Sequence, residues 1–329
     1  MKEKLLEFIE NSFLKPLLGD ENISDISYNG VSIFYVDNKF GRQKSDIKVK
    51  SEEVLDFIRQ IANLSEKQFS FTSPTLDISV GRYRINAMHT SIVRVKDDKS
   101  CSFCIRIGST ENKINKDSNF LTKESEKFLI DHLNNEDSIV IAGPTGSGKT
   151  ELQKYLLSKL RKNSRVIVID NIQELENLRQ FDDLDLTSWQ VSQTNPNATM
   201  EELIKNALRS NPDWLVVAEA RNKEMSSVLT SVMTGHPIIT TVHARSLEAI
   251  PKRICRMIMS ADTTQKYRDI LSDVYDHIKY YVFVNRRYST GGEVLRYIES
   301  IGELQADGSM KVIYKRSNKW IRLIFLLCF

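Results

Sequence analysis

One eight-residue stretch limits the possible folds of this 329-residue chain more than any other feature. Residues 143–150 read GPTGSGKT, which matches the pattern G-x-x-x-x-G-K-[ST] of a phosphate-binding loop. The apolar run SIVIA precedes the loop and an amphipathic segment follows it, as a strand–loop–helix unit requires. Glycines allow backbone conformations closed to other residues, so that amide N–H groups can face phosphate oxygens. The pattern therefore predicts a nucleotide site between a strand and a helix N-terminus.

The loop also predicts which side chains hold the nucleotide. Lys149 should reach the β- and γ-phosphates, and the Thr150 hydroxyl should bind Mg²⁺. We therefore expect ATP and Mg²⁺ as cofactors. The expected cofactor-binding residues are Gly143, Pro144, Thr145, Gly146, Ser147, Gly148, Lys149, Thr150 and Glu151.

Strands and helices alternate in the part of the chain that contains the loop. The predicted strands are 138–142, 165–170, 214–218 and 238–242, followed by a hairpin of 278–284 and 293–300. The predicted helices are 149–161, 200–209, 223–233 and 247–259. Short apolar strands between helices indicate an α/β fold whose mostly parallel sheet is covered on both faces.

The part before the loop has a different order of elements. Apolar spacing predicts a helix from about Leu5 that stops near Pro16, and a second helix over 54–64. Strands are predicted at 31–36, 76–80, 83–88 and 102–107, the middle two forming a hairpin. We therefore expect a smaller α+β domain over 1–107, a polar linker over 108–118, and the loop-containing domain over 119–329.

Three strands of the second domain end in residues suited to work on a phosphate. The strand VIVID ends at Asp170, and Glu174 follows it; spacing alone leaves a helix-capping role for Asp170 equally open. The strand LVVAE ends at Glu219, a candidate for Mg²⁺ or its bound water, with an ion pair to Arg221 as the alternative. The strand IITTV precedes His243.

These segments together resemble the secretion ATPase superfamily, the traffic ATPases of type II and type IV secretion, conjugation and pilus assembly. Four motifs occur in the family's order: GPTGSGKT, an aspartate box at IDNIQEL, a Walker B signature at NPDWLVVAEAR and a histidine box at TGH and TTVHA. They span 138–245, with weaker similarity from about Ile23 to about Arg316. The resemblance implies a RecA-like P-loop motor domain behind a smaller N-terminal domain.

The resemblance also implies roles for individual residues. Glu219 matches the Walker B glutamate, with Arg221 beside it, and His243 matches the histidine that contacts the γ-phosphate. Asp170 falls on the family's proposed base, but Asp170-Asn171 stands where Glu-Asp is usual, so Glu174 is the other candidate for the base.

Two arginines of the N-terminal domain complete the candidate set. Arg84 and Arg106 match arginines that the family's N-terminal domain contributes to the nucleotide. A guanidinium suits this role because it is always charged and can bind phosphate oxygens through two N–H groups.

The function implied is Mg²⁺-dependent ATP hydrolysis that powers secretion, pilus assembly or DNA transfer. The expected partners are five further copies in a homohexameric ring, inner-membrane platform proteins, and a cargo that is a pilin, an effector or a conjugative DNA complex. The expected location is the cytoplasmic face of a bacterial membrane.

Two alternatives stay open at this point. A nucleic-acid motor of RecA-like fold is disfavoured by the balance of 46 basic and 43 acidic residues. An assembly subunit that binds nucleotide and scarcely hydrolyses it is kept open by Asp170-Asn171. Four cysteines in so long a chain favour a reducing compartment, and MKEKLLEFIE lacks the layout of a signal peptide. The apolar end KWIRLIFLLCF is too short for a helix to span a bilayer.

Overall fold

A computed structural model describes residues 2–109, 112–116, 119–171, 175, 181–192, 195–222 and 224–317. The chain divides into two compact units, Met1–Thr110 with Thr290–Val294, and Glu111–Ser289 with Leu295–Phe329. Some predicted features lie outside the described residues. They are residues 172–174 of the aspartate box, which include the candidate base Glu174, Lys223 at the start of a predicted helix, linker residues 110, 111, 117 and 118, and residues 319–329, the apolar end.

The first unit is an antiparallel sheet with helices. Its helices are α1 (Lys2–Glu10), α2 (Lys15–Leu18) and α3 (Ser51–Leu64). Its strands are β1 (Ile23–Tyr28), β2 (Ile33–Asp37), β3 (Gly41–Lys44), β4 (Thr75–Val80), β5 (Tyr83–Met88), β6 (Arg94–Val95), β7 (Asp98–Lys99) and β8 (Ser102–Ile107). The main sheet has the order β3-β2-β1-β8-β5-β4, and β6 pairs with β7 separately.

Alternation along the strands gives this sheet one buried face. In β5 every second residue is buried, beginning with Tyr83, because successive side chains of a strand point to opposite faces. The buried face packs in one core with residues of α1 and α3 such as Ile9 and Ile58. The amphipathic stripe predicted over 54–64 is therefore the packed face of α3.

Pro16 has a role different from the one the sequence predicted. The first helix ends at Glu10, and Pro16 lies in the first turn of the short helix α2. Proline is tolerated there because the first N–H groups of a helix have no acceptor within it. Pro16 thus helps to begin a helix, and the prediction that it stops one is wrong.

The second unit contains the larger sheet. Its helices are α4 (Lys123–Asn134), α5 (Lys149–Leu157), α6 (Met200–Leu208), α7 (Glu224–Met233), α8 (Ala249–Ala261) and α9 (Tyr267–His277). Its strands are β9 (Ile139–Ala142), β10 (Arg165–Asp170), β11 (Asp185–Gln190), β12 (Trp214–Val217), β13 (Ile238–Val242), β14 (Tyr280–Tyr288), β15 (Val294–Leu304) and β16 (Met310–Lys315). Their order in the sheet is β11-β10-β12-β13-β9-β14-β15-β16.

The predicted mostly parallel sheet is confirmed. All pairings from β11 through β14 are parallel, and β15 pairs with β16 antiparallel. Every residue of β9, β12 and β13 is buried, because both faces of the sheet are covered. On one face Val140 packs in a core with residues of α6, α7, α8 and α9. On the other, Ile141 packs with residues of α4 and α5.

Some predicted element ends are exact, and others differ by up to four residues; β14 and β15 each end four residues after their predicted ends. β10 and β13 have their predicted bounds, whereas α5 ends at Leu157, four residues before the predicted end. Four elements of this unit were not predicted: α4, β11, α9 and β16. β11 reads DLTSWQ. This edge strand was not predicted because its sequence is mostly polar and has no apolar strand pattern.

No helix among the described residues is long and apolar enough to cross a membrane.

A buried glutamine fixes α5 against the middle of the sheet. The Gln153 side chain is fully buried, and its Nε2 donates to the carbonyl oxygens of Val217 at 2.9 Å and Ile239 at 3.1 Å. These carbonyls belong to β12 and β13, the strands that precede Glu219 and His243. Gln153 therefore sets the distance between the helix that follows the loop and the strands that carry the acid and the histidine.

We predict that Gln153→Met lowers the free energy of unfolding by about 2 kcal/mol, because it removes two buried donors while keeping the side-chain volume. Urea denaturation of the purified chain would measure this change. Gln190→Met is the control, since Gln190 is exposed on the edge strand β11 and should change stability by less than about 0.5 kcal/mol. Equal stabilities of the two variants would contradict the prediction.

Candidate functional site

The predicted phosphate-binding loop lies between β9 and α5. β9 ends at Ala142 and α5 begins at Lys149, so that the loop occupies the carboxyl end of a central strand. Gly146 and Gly148 have φ values of +73° and +96°, a region that residues with a Cβ rarely adopt. A Cβ at Gly148 would also lie 2.7 Å from a ring carbon of Phe120. Glycine is required at this position for both reasons.

Lys149 lies inside the loop rather than extended into solvent. Its side chain is buried, and Nζ donates to the carbonyl oxygens of Gly143 and Pro144, both at 3.1 Å. Ser147 is fully buried, and its hydroxyl has no hydrogen-bond partner among the described residues. A buried hydroxyl without a hydrogen bond lowers stability, unless a bound ligand supplies the missing hydrogen-bond partner. The cation, the hydroxyl and the two left-handed glycines fit a bound polyphosphate.

The parallel sheet brings the motif residues to one edge. β9 pairs with β13, β13 with β12, and β12 with β10, all parallel. The carboxyl ends of parallel strands lie at the same edge of a sheet. The loop, His243, Glu219 and Asp170 therefore follow one another along this edge, one from each strand.

Direct contacts join three of these residues. Nζ of Lys149 lies 3.3 Å from Nδ1 of His243, and Nε2 of His243 lies 3.3 Å from Oε1 of Glu219. An ammonium donates and cannot accept, so Nδ1 is the acceptor and the ring proton of the neutral histidine lies on Nε2, facing the carboxylate. His243 thus lies between the loop lysine and Glu219 and contacts both.

Arg221 holds the other side of the glutamate. Its Nη2 donates to Oε2 of Glu219 at 2.8 Å, and its backbone N–H donates to Oε2 of Glu224 at 2.7 Å. Glu219 is half-buried, so this ion pair is less screened by water than one on an open surface. The ion pair that the sequence left as an alternative is present, together with the contact to His243.

Burial and neighbouring charges shift the pKa values of Glu219, Arg221 and His243. Burial raises the pKa of Glu219, but the hydrogen bond and charge of Arg221, with the charges of His243 and Lys149, bring it below its ordinary value. The hydrogen bond to Glu219 raises the pKa of Arg221. Partial burial and then the charge of Lys149 lower the pKa of His243. Glu219 is therefore ionised and His243 neutral at neutral pH.

Asp170 and Glu151 are the other predicted acids of this unit that the structure describes. Asp170 is buried at the end of β10, and Glu174 is outside the described residues. The carboxylate of Glu151 accepts from the backbone N–H of Lys113 at 2.9 Å and from Nζ of Lys154 at 3.1 Å. Its contacts are thus with a linker residue and a buried lysine of its own helix.

The two arginines predicted in the first unit lie beside each other there. Arg84 on β5 and Arg106 on β8 are directly opposite in the antiparallel register, so both side chains leave the same face of the sheet. Arg84 is also bound to Asp77, with Nη2 3.2 Å and Nε 3.4 Å from its carboxylate oxygens.

The structure adds two arginines that the sequence reasoning missed. Nε of Arg296 donates to the carbonyl oxygen of Gly146 at 2.9 Å. Nη1 of Arg286 lies 2.9 Å from the position that a Cβ at Gly146 would occupy. No motif marks these arginines, since their position depends on how β14 and β15 join the sheet.

Comparison with known proteins finds the same family that the sequence motifs resemble. Residues 86–275 match the family model described as Type II/IV secretion system protein. An uncharacterised protein of Bacillus anthracis is 28% identical over 94% of this chain and 71% of its own length. The type IV secretion system protein VirB11 of Bartonella henselae is 26% identical over 76% of this chain and 80% of its own. The Legionella pneumophila ATPase DotB has a similar fold, with a TM-score of 0.65, 19% identity, and coverage of 90% of this chain and 80% of that one.

We predict that Lys149→Met raises the pKa of His243 toward its ordinary value, because a positive charge next to the ring disfavours protonation. An NMR titration of the histidine ring protons, assigned with a His243→Gln spectrum, would measure the shift. Lys162→Met removes an exposed lysine that pairs with Asp183 and should leave the titration unchanged. An unchanged or lower pKa in Lys149→Met would contradict the contact.

Proposed function

Because more than half of the chain matches its model, this protein belongs to the Type II/IV secretion system protein family, and we propose that it is an ATPase that powers secretion, pilus assembly or DNA transfer. The observation that carries the proposal is the contact from Lys149 through His243 to Glu219. It joins the phosphate-binding loop after β9, through the residue that follows β13, to an ionised acid that follows β12. Such an arrangement holds a phosphate chain and can act on the water or metal beside it.

Each member of this group has a distinct chemical role in the proposal. Lys149 and the loop N–H groups bind the phosphates, which requires Lys149 to exchange its contacts with Gly143 and Pro144 for phosphate oxygens. Thr150 and Glu219 would hold Mg²⁺, the latter through water. The ion, when bound, would neutralise developing charge on the phosphates.

His243 suits a sensor of the terminal phosphate because of its protonation state. A neutral ring can donate a hydrogen bond from Nε2 to an oxygen of the terminal phosphate. When that phosphate leaves, Nε2 can donate to Glu219 again. A protonated ring would repel Lys149 at 3.3 Å. The base that activates the attacking water remains one of two carboxylates, Asp170 or Glu174.

We propose a RecA-like motor for the second unit, with a nucleotide-dependent motion of the chain as its output. Contacts that differ between ATP and ADP are the energy source for such a motion. Arg84 and Arg106 are proposed to bind phosphate during the cycle, and Arg84 must then exchange Asp77 for the phosphate. A homohexameric ring, a membrane platform as partner and a position at the cytoplasmic face of the membrane belong to the same proposal.

We expect Lys149→Ala to reduce ATP turnover at least about 10²-fold, because it removes a preorganised charge from the phosphates. A steady-state phosphate-release assay with Mg²⁺ would measure this loss. Lys162→Ala, which removes an exposed lysine, should keep the parent rate. Near-parent turnover by Lys149→Ala would overturn the proposed site.

Glu219→Gln should bind ATP and hydrolyse it about 10²-fold more slowly, because the amide keeps the shape and removes the charge. Nucleotide affinity and single-turnover rate, measured on the same preparation, separate binding from hydrolysis. Glu248→Gln is the matched control at an exposed position before α8. Hydrolysis at the parent rate by Glu219→Gln would show that Glu219 has a structural role only.

A further inference from the structure

Two arginines of the β14–β15 ribbon contact the apex of the phosphate-binding loop at a single residue. Arg296 on β15 donates from Nε to the carbonyl oxygen of Gly146 at 2.9 Å. Arg286 on β14 places Nη1 2.9 Å from where a Cβ at Gly146 would lie. A larger residue at 146 would displace this guanidinium. Gly146 is therefore constrained by its φ of +73° and by its arginine neighbour.

The register of the sheet explains why β14 reaches the loop. β14 pairs with β9 in parallel, and Phe283 is opposite Ala142, the last residue of β9. β14 then continues to Tyr288, five residues beyond this pair, alongside the loop. The approach is close, since a Cβ at Gly143 would lie 2.2 Å from the carbonyl oxygen of Val284. The backbone pairing of β14 with β9 therefore places Arg286 beside the loop.

The Asn285 side chain holds the backbone at Arg286. The Asn285 side chain donates from Nδ2 to the Glu299 carboxylate at 2.5 Å and accepts the backbone N–H of Arg286 at 2.8 Å. The Arg286 side chain is exposed, so it can meet a ligand that enters the loop from solvent. Arg287, the next residue, points to the opposite face, where its charge acts on Tyr297.

Three cationic side chains therefore contact one short loop. Lys149 is bonded to carbonyls at its beginning, and Arg286 and Arg296 lie against its apex. Like charges brought together repel, and a bound anion relieves the repulsion. A guanidinium presents two parallel N–H groups that match phosphate oxygens.

We infer that Arg286 binds the phosphate chain of a nucleoside di- or triphosphate in the loop, and that Arg296 is a positioning residue that holds the loop through Gly146. This inference rests on the proposed function, because it names further residues of the same nucleotide site. Arg286 adds a charged contact to the phosphates from within the same unit as the loop. Arg296 keeps the Gly146 peptide oriented so that the loop N–H groups face inward.

Titration calorimetry of the full chain with ADP and with ATP, both with Mg²⁺, tests the role of Arg286. Arg286→Gln should weaken the binding of each nucleotide about tenfold or more, because a charge-assisted hydrogen bond is lost. Arg286→Lys should bind with intermediate affinity, since it keeps the charge and loses the paired N–H groups. Arg287→Gln is the matched control and should bind like the parent. Arg286→Gln binding as tightly as Arg287→Gln would overturn the inference.

The role of Arg296 needs a measurement on the loop itself. Arg296→Gln should increase hydrogen exchange of the loop amides before nucleotide is added and should weaken ADP binding. Arg296→Lys should restore part of both, because it keeps a donor and the charge. If Arg296→Gln changed neither the hydrogen exchange of the loop amides nor the affinity for ADP, Arg296 would have no positioning role in the site.

Binding by the parent chain distinguishes failure of this inference from failure of the proposed function. If the parent binds neither nucleotide, or if Lys149→Ala binds as tightly as the parent, both proposals are wrong. If parent binding depends on Lys149 and Arg286→Gln is unaffected, only the inference about Arg286 is wrong. The Arg286 variants should unfold at the parent temperature without nucleotide, since the side chain is exposed.

Discussion

The candidate site depends on the position of β9 between β13 and β14, with all three strands parallel. Ala142 at the end of β9 is opposite Val242 of β13 on one side and Phe283 of β14 on the other. The first pairing brings His243 beside the loop, and the second brings Arg286. A shift of one residue in either pairing would turn the following side chain to the other face of the sheet. Hydrogen bonds between backbones therefore decide which side chains surround the loop.

Four side chains at this edge of the sheet contact one another in a row, and their charges differ from one to the next. Lys149 is positive, His243 is neutral, Glu219 is negative and Arg221 is positive. Each contact favours the protonation state of its neighbour: Lys149 disfavours a charged His243, and Arg221 favours a charged Glu219. The group is thus prepared for a polyanion before one arrives, which lowers the reorganisation needed on binding.

The sequence predicted those parts of the site that depend on local patterns. The loop GPTGSGKT, the strand ending at Asp170 and the position of His243 after β13 follow from motifs and apolar runs, and parallel pairing is expected for such runs. Arg286 and Arg296 could not be predicted, because their place depends on a pairing between strands distant in sequence. The edge strand β11 was missed since it lacks an apolar pattern, and Pro16 was misread because a helix-breaking residue also suits a first turn.

The pairing of β14 with β9 also has a consequence for how the protein is made. Ile139 and Tyr280 are paired although about 140 residues separate them, so the loop acquires this neighbour only after synthesis has continued as far as β14. A nascent chain that ends after α5 contains the complete GPTGSGKT motif and lacks both its histidine and its arginines. Nucleotide affinity should therefore emerge late during translation, and a truncated product would carry the signature of the family without the surroundings that the signature needs.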